Sequence, residues 1–247
     1  MSDSANTQEN LFEEKARVIL QYLKSPDRYE EGFLPRPFFI EETGSPSSGK
    51  TTTITELDKF LRRMGFRVLR PQEGAEVIRH IPRTTPLYNI RTGLYALTKL
   101  IDDSYGHQYD VVLFDRCIFD AYCWMMYWSE KNKISEEEKQ LIQSFFISRF
   151  WTDKIDVAYF MICDPEVAME RELRIALSRK LGETTNPETI RTLVNRYRAA
   201  YQILSPQFPQ LRLIDTTFMD EQEMVEIVAK ETLQILEKKA QGGLQPK

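Results

Sequence analysis

Phe38-Phe39-Ile40-Glu41-Glu42-Thr43-Gly44-Ser45-Pro46-Ser47-Ser48-Gly49-Lys50-Thr51-Thr52-Thr53 decides how the rest of this 247-residue chain is read. Gly44 to Thr51 fits the pattern G-x-x-x-x-G-K-[ST] without deviation. The two glycines let the backbone wrap closely, so that consecutive N–H groups point inward at a phosphate. Lys50 supplies a cation that reaches β- and γ-phosphate oxygens, and Thr51 offers a hydroxyl to Mg²⁺. A helix opening near Gly49 adds its positive end beneath the anion. The expected phosphate-contact set is Gly44, Ser45, Ser47, Ser48, Gly49, Lys50, Thr51 and Thr52. Four fixed positions arise by chance in about one chain in a hundred, so context decides. Here an apolar run suited to a buried strand precedes the motif, and residues 53–63 carry a helical pattern after it.

Working outward, apolar runs predict strands at 38–42, 66–69, 109–114, 157–162 and 211–215. Helical spacing fills the intervals: 53–64, 87–103, 117–130, 135–150, a helix started by Pro165, one from Pro187 to about Leu204, and 220–238. Ser135 with Glu138 has the pattern of a capping box. Residues 10–24 are expected to form an amphipathic helix ahead of the first strand, preceded by a polar, disordered stretch at 1–9. Alternation of strand and helix argues an α/β fold, a five-stranded parallel sheet with helices on both faces and an extra N-terminal helix. The expected organisation is a tail and helix over 1–35, one domain over 36–238 with a lid at about 168–186, and a flexible tail at 239–247. Ligands in such sheets sit beyond the carboxyl ends of the strands. Those ends carry Gly44, Glu73, Asp115-Arg116, Asp164 and Asp215.

A phosphate loop alone leaves ATPases, GTPases, transporters, helicases and kinases open. Asp115 can hold a Mg²⁺ shell while Arg116 touches phosphate. No N-K-x-D guanine-reading motif occurs, which disfavours a GTPase. Arg171, Arg174 and Arg179 fall within roughly a 140° arc at 100° per residue, a cluster able to close over a triphosphate. Such a lid neutralises the transferring group and excludes water. Interleaved Glu166, Glu170 and Glu172 equally allow a solvated, salt-bridged helix face.

The set Gly44–Thr51, Glu73, Asp115-Arg116 and the arginine-rich 171–180 segment resembles the deoxynucleoside kinase and thymidylate kinase group of P-loop kinases. The stretch from Asp115 to Asp120 is similar to the D-R-x-x-x-D of nicotinamide riboside kinase-type ATPases. The resemblance implies the three-layer P-loop NTPase sandwich, ATP and Mg²⁺ as cofactors, and a nucleoside or nucleotide as acceptor. It implies Glu73 as the base that takes the acceptor's proton, with Glu76 its nearby competitor. Arg116 is implied as a contact to phosphate or substrate, and residues 216–219 as the adenine-facing segment. The sequence departs from the family at Cys117, and in beginning the pair with Asp rather than Glu.

Catalytic candidates are therefore Lys50, Glu73, Asp115, Arg116, Arg171 and Arg174, with Thr51 and Asp115 for the metal. Arg83 and Arg91 are candidates for an acceptor's phosphate. Tyr88, Tyr95, Phe119, Tyr122 and Trp124 could stack on a base or belong to the core. Net charge is −4, so no global basic field advertises nucleic acid. Three scattered cysteines and two histidines disfavour structural zinc and suit a reducing compartment. No apolar run approaches membrane-spanning length and no secretory signal opens the chain, so the expectation is a cytoplasmic protein, with a homodimer left open. The rival class is a nucleotide-dependent regulatory or assembly ATPase without an acceptor, its N-terminal helix docking a partner. A nucleic-acid end kinase is disfavoured by the acidic balance.

Overall fold

In the computed structural model, which describes residues 2–24, 36–106, 108–175 and 186–243, the quoted stretch forms β1 (Phe38–Gly44), buried at every residue. It is the middle of a five-stranded sheet with β2 (Val68–Leu69), β3 (Val111–Asp115), β4 (Ile155–Ile162) and β5 (Leu211–Asp215). The order is β2-β3-β1-β4-β5, and all four pairings are parallel. The crossover from β3 to β4 passes over β1, which places the crevice for a ligand at the carboxyl end of β1. Glu42 pairs in register with Asp115 there.

The helices are α1 (Ser2–Lys24), α2 (Lys50–Arg63), α3 (Gly74–Val77), α4 (Pro86–Ser104), α5 (Ile118–Glu130), α6 (Glu136–Phe146), α7 (Arg149–Thr152), α8 (Pro165–Ile175), α9 (Pro187–Leu204) and α10 (Glu221–Gly243). Because successive strand side chains face opposite sides, each inner strand feeds two cores. Phe39, Val112, Phe114, Phe160 and Ile162 pack under α4, α5 and α9. Ile40, Leu113, Val157, Tyr159 and Met161 pack under α1, α2 and α10. The three-layer architecture expected from the alternation is the one observed. Asp156 ties it at one edge: its buried carboxylate accepts from Arg36 at 2.8 and 2.9 Å, from the Phe39 N–H at 2.8 Å and from Lys239 at 2.6 Å.

Several boundaries differ from the sequence expectation. Helix α1 begins at Ser2, so residues 2–9, expected to be disordered, are helical. At the other end α10 runs to Gly243, and Ala240 is fully buried in the second core. The tail expected from 239 is therefore helix through 243. The single helix expected over 135–150 divides into α6 and α7, and the capping box at Ser135 and Glu138 is present. The four-residue α3, too short to show a period, was not anticipated. Of the expected lid, α8 is described to Ile175, while Arg179, Lys180 and Gly182 lie outside the described residues.

Candidate active site

Gly44 and Gly49 meet backbone demands no other residue fills. Gly44 has φ 142°, and a Cβ there would lie 1.8 Å from the Met161 carbonyl oxygen. Gly49 has φ 94° at the N-cap of α2, and a Cβ would lie 2.6 Å from the Met224 sulfur. Ser47 also has a left-handed backbone, φ 55°. The loop closes on the sheet through the Ser45 N–H, which donates to Met161 O at 3.0 Å. Inside it Lys50 is 6% exposed and donates to Ser45 O at 2.6 Å. Burial, then the Arg116 charge, push its ammonium down to about 8. The Ser45 hydroxyl is buried and has no partner among the described residues.

A buried cation and an orphaned hydroxyl in a glycine-shaped loop at a helix N-terminus fit a polyphosphate. At the rim Thr51 Oγ1 donates to Asp115 Oδ2 at 3.3 Å. Hydroxyl and carboxylate oxygens side by side suit a hard divalent cation that keeps phosphate and water in the rest of its shell. The loop and the Asp115-Arg116 step are thus adjacent, as the sequence reading requires. Ser48 and Ser47 hold the loop itself. Ser48 Oγ donates to Ser45 O at 2.9 Å, and Ser47 Oγ to Glu172 at 3.0 Å. Thr52 lines the wide cavity of about 860 Å³ that opens from the loop.

Arg116 is the hub of the second half. It adopts a left-handed φ of 68°, an arrangement that costs a non-glycine residue roughly 1 kcal/mol and clusters at functional sites. Its guanidinium reaches Glu73 at 3.1 Å, Asp120 at 3.0 Å and the Tyr197 hydroxyl at 3.2 Å. Asp120 in turn accepts from Thr43 Oγ1 at 2.6 Å and Tyr197 at 2.7 Å. Burial raises the Glu73 carboxyl, and Arg116 opposes that rise. Glu73 borders a cavity of about 150 Å³, together with Arg83, Tyr88, Asn89, Arg116 and Trp124. Glu76 is exposed on α3 and is not among its lining residues. Arg91 and Tyr95 are also outside that lining, while Phe119 and Tyr122 are core residues.

Arg171 is used differently from the lid arginine expected. Its guanidinium donates to Thr216 O at 2.7 Å, Met219 O at 2.8 Å and Ser47 O at 3.3 Å. These bonds brace α8 against the phosphate loop and the segment after β5. Arg174 is exposed, pairs with Glu170 at 3.0 Å and borders the wide cavity. Thr217 and Met219, from the segment expected to face adenine, border it too.

Two buried carboxyls were passed over as strand residues. Glu41 is fully buried and accepts from the N–H groups of Cys117, Phe119 and Asp120 at 2.9, 3.3 and 3.0 Å. It thereby fixes the start of α5 and the hub beside it. Glu42 accepts from the Thr53 hydroxyl, and its other oxygen is buried with no partner among the described residues. Two adjacent acidic residues in a strand expected to be buried on both faces were the available signal. Burial pushes each carboxyl up to about 8 from 4.5. The folded chain therefore keeps protons that the unfolded chain releases between about pH 4.5 and 8. That contribution to stability is complete below pH 4.5 and is lost as pH rises through 8, at up to about 1.4 kcal/mol per pH unit per group. Urea denaturation at pH 5.5, 6.5 and 7.5 should show falling stability, with a shallower slope in Glu42→Gln. An identical slope in both proteins would contradict it.

Comparison with solved structures supports the fold: the parallel sheet flanked by helices is shared with P-loop kinases of known structure. One such structure is a deoxyadenosine kinase from M. mycoides, with the products dCMP and a flexible dCDP bound. It superposes with a TM-score of 0.56 at 15% identity, covering 80% of this chain and 100% of that one. No protein-family model and no curated protein matches the sequence. Among the described residues no helix is long and apolar enough to cross a membrane.

Proposed function

We propose that the protein is a Mg²⁺- and ATP-dependent phosphotransferase whose acceptor is a hydroxyl of a nucleoside or nucleotide. The observation that carries this reading is the Glu73–Arg116 pair at 3.1 Å. It borders a solvent-open, partly aromatic cavity, and Arg116 directly follows the Asp115 that accepts from the Thr51 hydroxyl. An acceptor-free ATPase needs a base only for water, whereas a base beside a partly aromatic cavity suits an organic acceptor.

In this reading Lys50 and the loop N–H groups bind the triphosphate, and Thr51 and Asp115 hold the cation. When bound, Mg²⁺ neutralises polyphosphate charge and orients the transferred group. Glu73 takes the proton of the acceptor hydroxyl. Arg116, held by Asp120 and Tyr197, offers charge to the group in transit. Arg171 positions the loop, and Arg174, an exposed residue bordering the nucleotide cavity, exchanges its Glu170 partner for phosphate.

The test is ADP release from Mg-ATP across a panel of nucleosides and nucleoside monophosphates. Acceptor-dependent release is the expected result. Hydrolysis indifferent to every panel member would replace the kinase with the regulatory ATPase.

A further inference from the structure

Tyr197 lies in the middle of α9, and its buried side chain carries a hydroxyl into the Arg116 hub. A phenol has one proton to give and lone pairs to offer. Here the proton goes to Asp120 Oδ1 at 2.7 Å, and the oxygen accepts from Arg116 Nη1 at 3.2 Å. Both capacities are used, so the hydroxyl bridges carboxylate and guanidinium. Asp120 does not depend on it for satisfaction. The same Oδ1 also accepts from Thr43 Oγ1 at 2.6 Å and from Arg116 Nη1 at 3.0 Å. Arg116 is the less constrained member, because it lies between two carboxylates. Its Nε pairs with Glu73 at 3.1 Å and its Nη1 with Asp120, while Nη2 makes no hydrogen bond among the described residues.

A guanidinium between two carboxylates can settle against either, and each choice turns its remaining N–H groups in a different direction. We propose that Tyr197 is a positioning residue for phosphoryl transfer: by accepting from Nη1 beside Asp120, its hydroxyl holds Arg116 in the orientation that keeps Nε on Glu73 and leaves Nη2 for the group in transit. The assignment rests on the kinase reading. Packing accounts for the ring, which lies 6.4 Å from that of Phe160, but not for the hydroxyl. A phenylalanine would fill the same space without a buried polar atom to satisfy. A charged group displaced by about 1 Å from its working position costs on the order of 10²-fold in rate, so the bond has a kinetic consequence out of proportion to its strength.

Tyr197→Phe deletes the hydroxyl and keeps the ring. Thr43→Val is its control, since it removes the other hydroxyl that donates to Asp120 Oδ1, from a residue just as buried, without touching Arg116. With the acceptor that the ADP-release panel identifies, Tyr197→Phe should lower kcat roughly ten- to a hundredfold, with KM for ATP and acceptor within about twofold. Thr43→Val should keep kcat within about threefold. Both variants should melt about 5 °C below wild type, the loss of one bond to a carboxylate. Arg116→Lys keeps the charge but not the fork, so in that background Tyr197→Phe should cost less than about twofold more. Wild-type kcat in Tyr197→Phe overturns the proposal. So do equal kcat losses in Tyr197→Phe and Thr43→Val, or losses from Tyr197→Phe and Arg116→Lys that multiply in full. Failure of Tyr197→Phe to fold where Thr43→Val folds would likewise assign the hydroxyl to structure alone. In each of these cases the kinase reading stands; no acceptor-dependent ADP release from the wild-type chain would remove both.

Discussion

Lys50→Ala should lower phosphoryl transfer on the order of 10³-fold, the loss seen when a preorganised group facing developing charge is removed. The structure makes this a sharper expectation than the motif does. In the resting loop the ammonium is buried, donates to Ser45 O at 2.6 Å and has been pushed down to about 8. Holding a cation there opposes folding, and a bound polyanion reverses the cost. Two further results follow. The variant should melt within about 4 °C of wild type, since losing the Ser45 bond is offset by relief of a buried charge. Nucleotide binding near pH 8 should draw protons from solution, because the phosphate restores the ammonium. Calorimetry in buffers of different ionisation enthalpy measures that uptake, which should vanish in Lys50→Ala. Activity near wild type would detach Lys50 from the chemistry, and unchanged proton uptake would place the titrating group elsewhere.

What could be read in advance divides by the range of the interaction. The phosphate loop was legible because two backbone positions, Gly44 and Gly49, exclude side chains by local geometry. The sheet was legible because β1, β3 and β4 are buried on both faces and so read as apolar runs. Asp120 was visible only as part of a resemblance, since its bonds to Thr43 and Tyr197 each span 77 residues. Arg171 shows the same limit from the other side. Its helical arc with Arg174 was correctly spaced for a lid, yet its guanidinium is satisfied by backbone carbonyls 45 and 48 residues onward. Backbone acceptors brought in by another loop have no residue type, so no pattern announces them. Short elements fail for a related reason, and α3 places Glu73 without completing a second helical turn. A polar helix end behaves likewise, because the burial of Ala240 depends on the sheet beneath α10.

Glu73→Gln carries the second large effect, and it discriminates where Lys50 does not. Loss of a positioned general base costs roughly 10²- to 10⁴-fold in turnover. Nucleotide affinity should stay within about twofold, because the phosphate loop and the Thr51–Asp115 pair do not include this side chain. Arg116 keeps its bonds to Asp120 and Tyr197, so the hub survives the substitution. Burial sets the Glu73 carboxyl above the ordinary value, which makes it a stronger base than a surface glutamate and places its titration higher. The acid limb of the wild-type kcat/KM profile should therefore lie above pH 4.5 and be missing from the glutamine variant. Glu76→Gln, on the exposed side of the same short helix, should leave rate and profile near wild type. If Glu76→Gln showed the loss and Glu73→Gln did not, the base would sit one helical turn away, and the Glu73-lined cavity would no longer be the place where the acceptor hydroxyl gives up its proton.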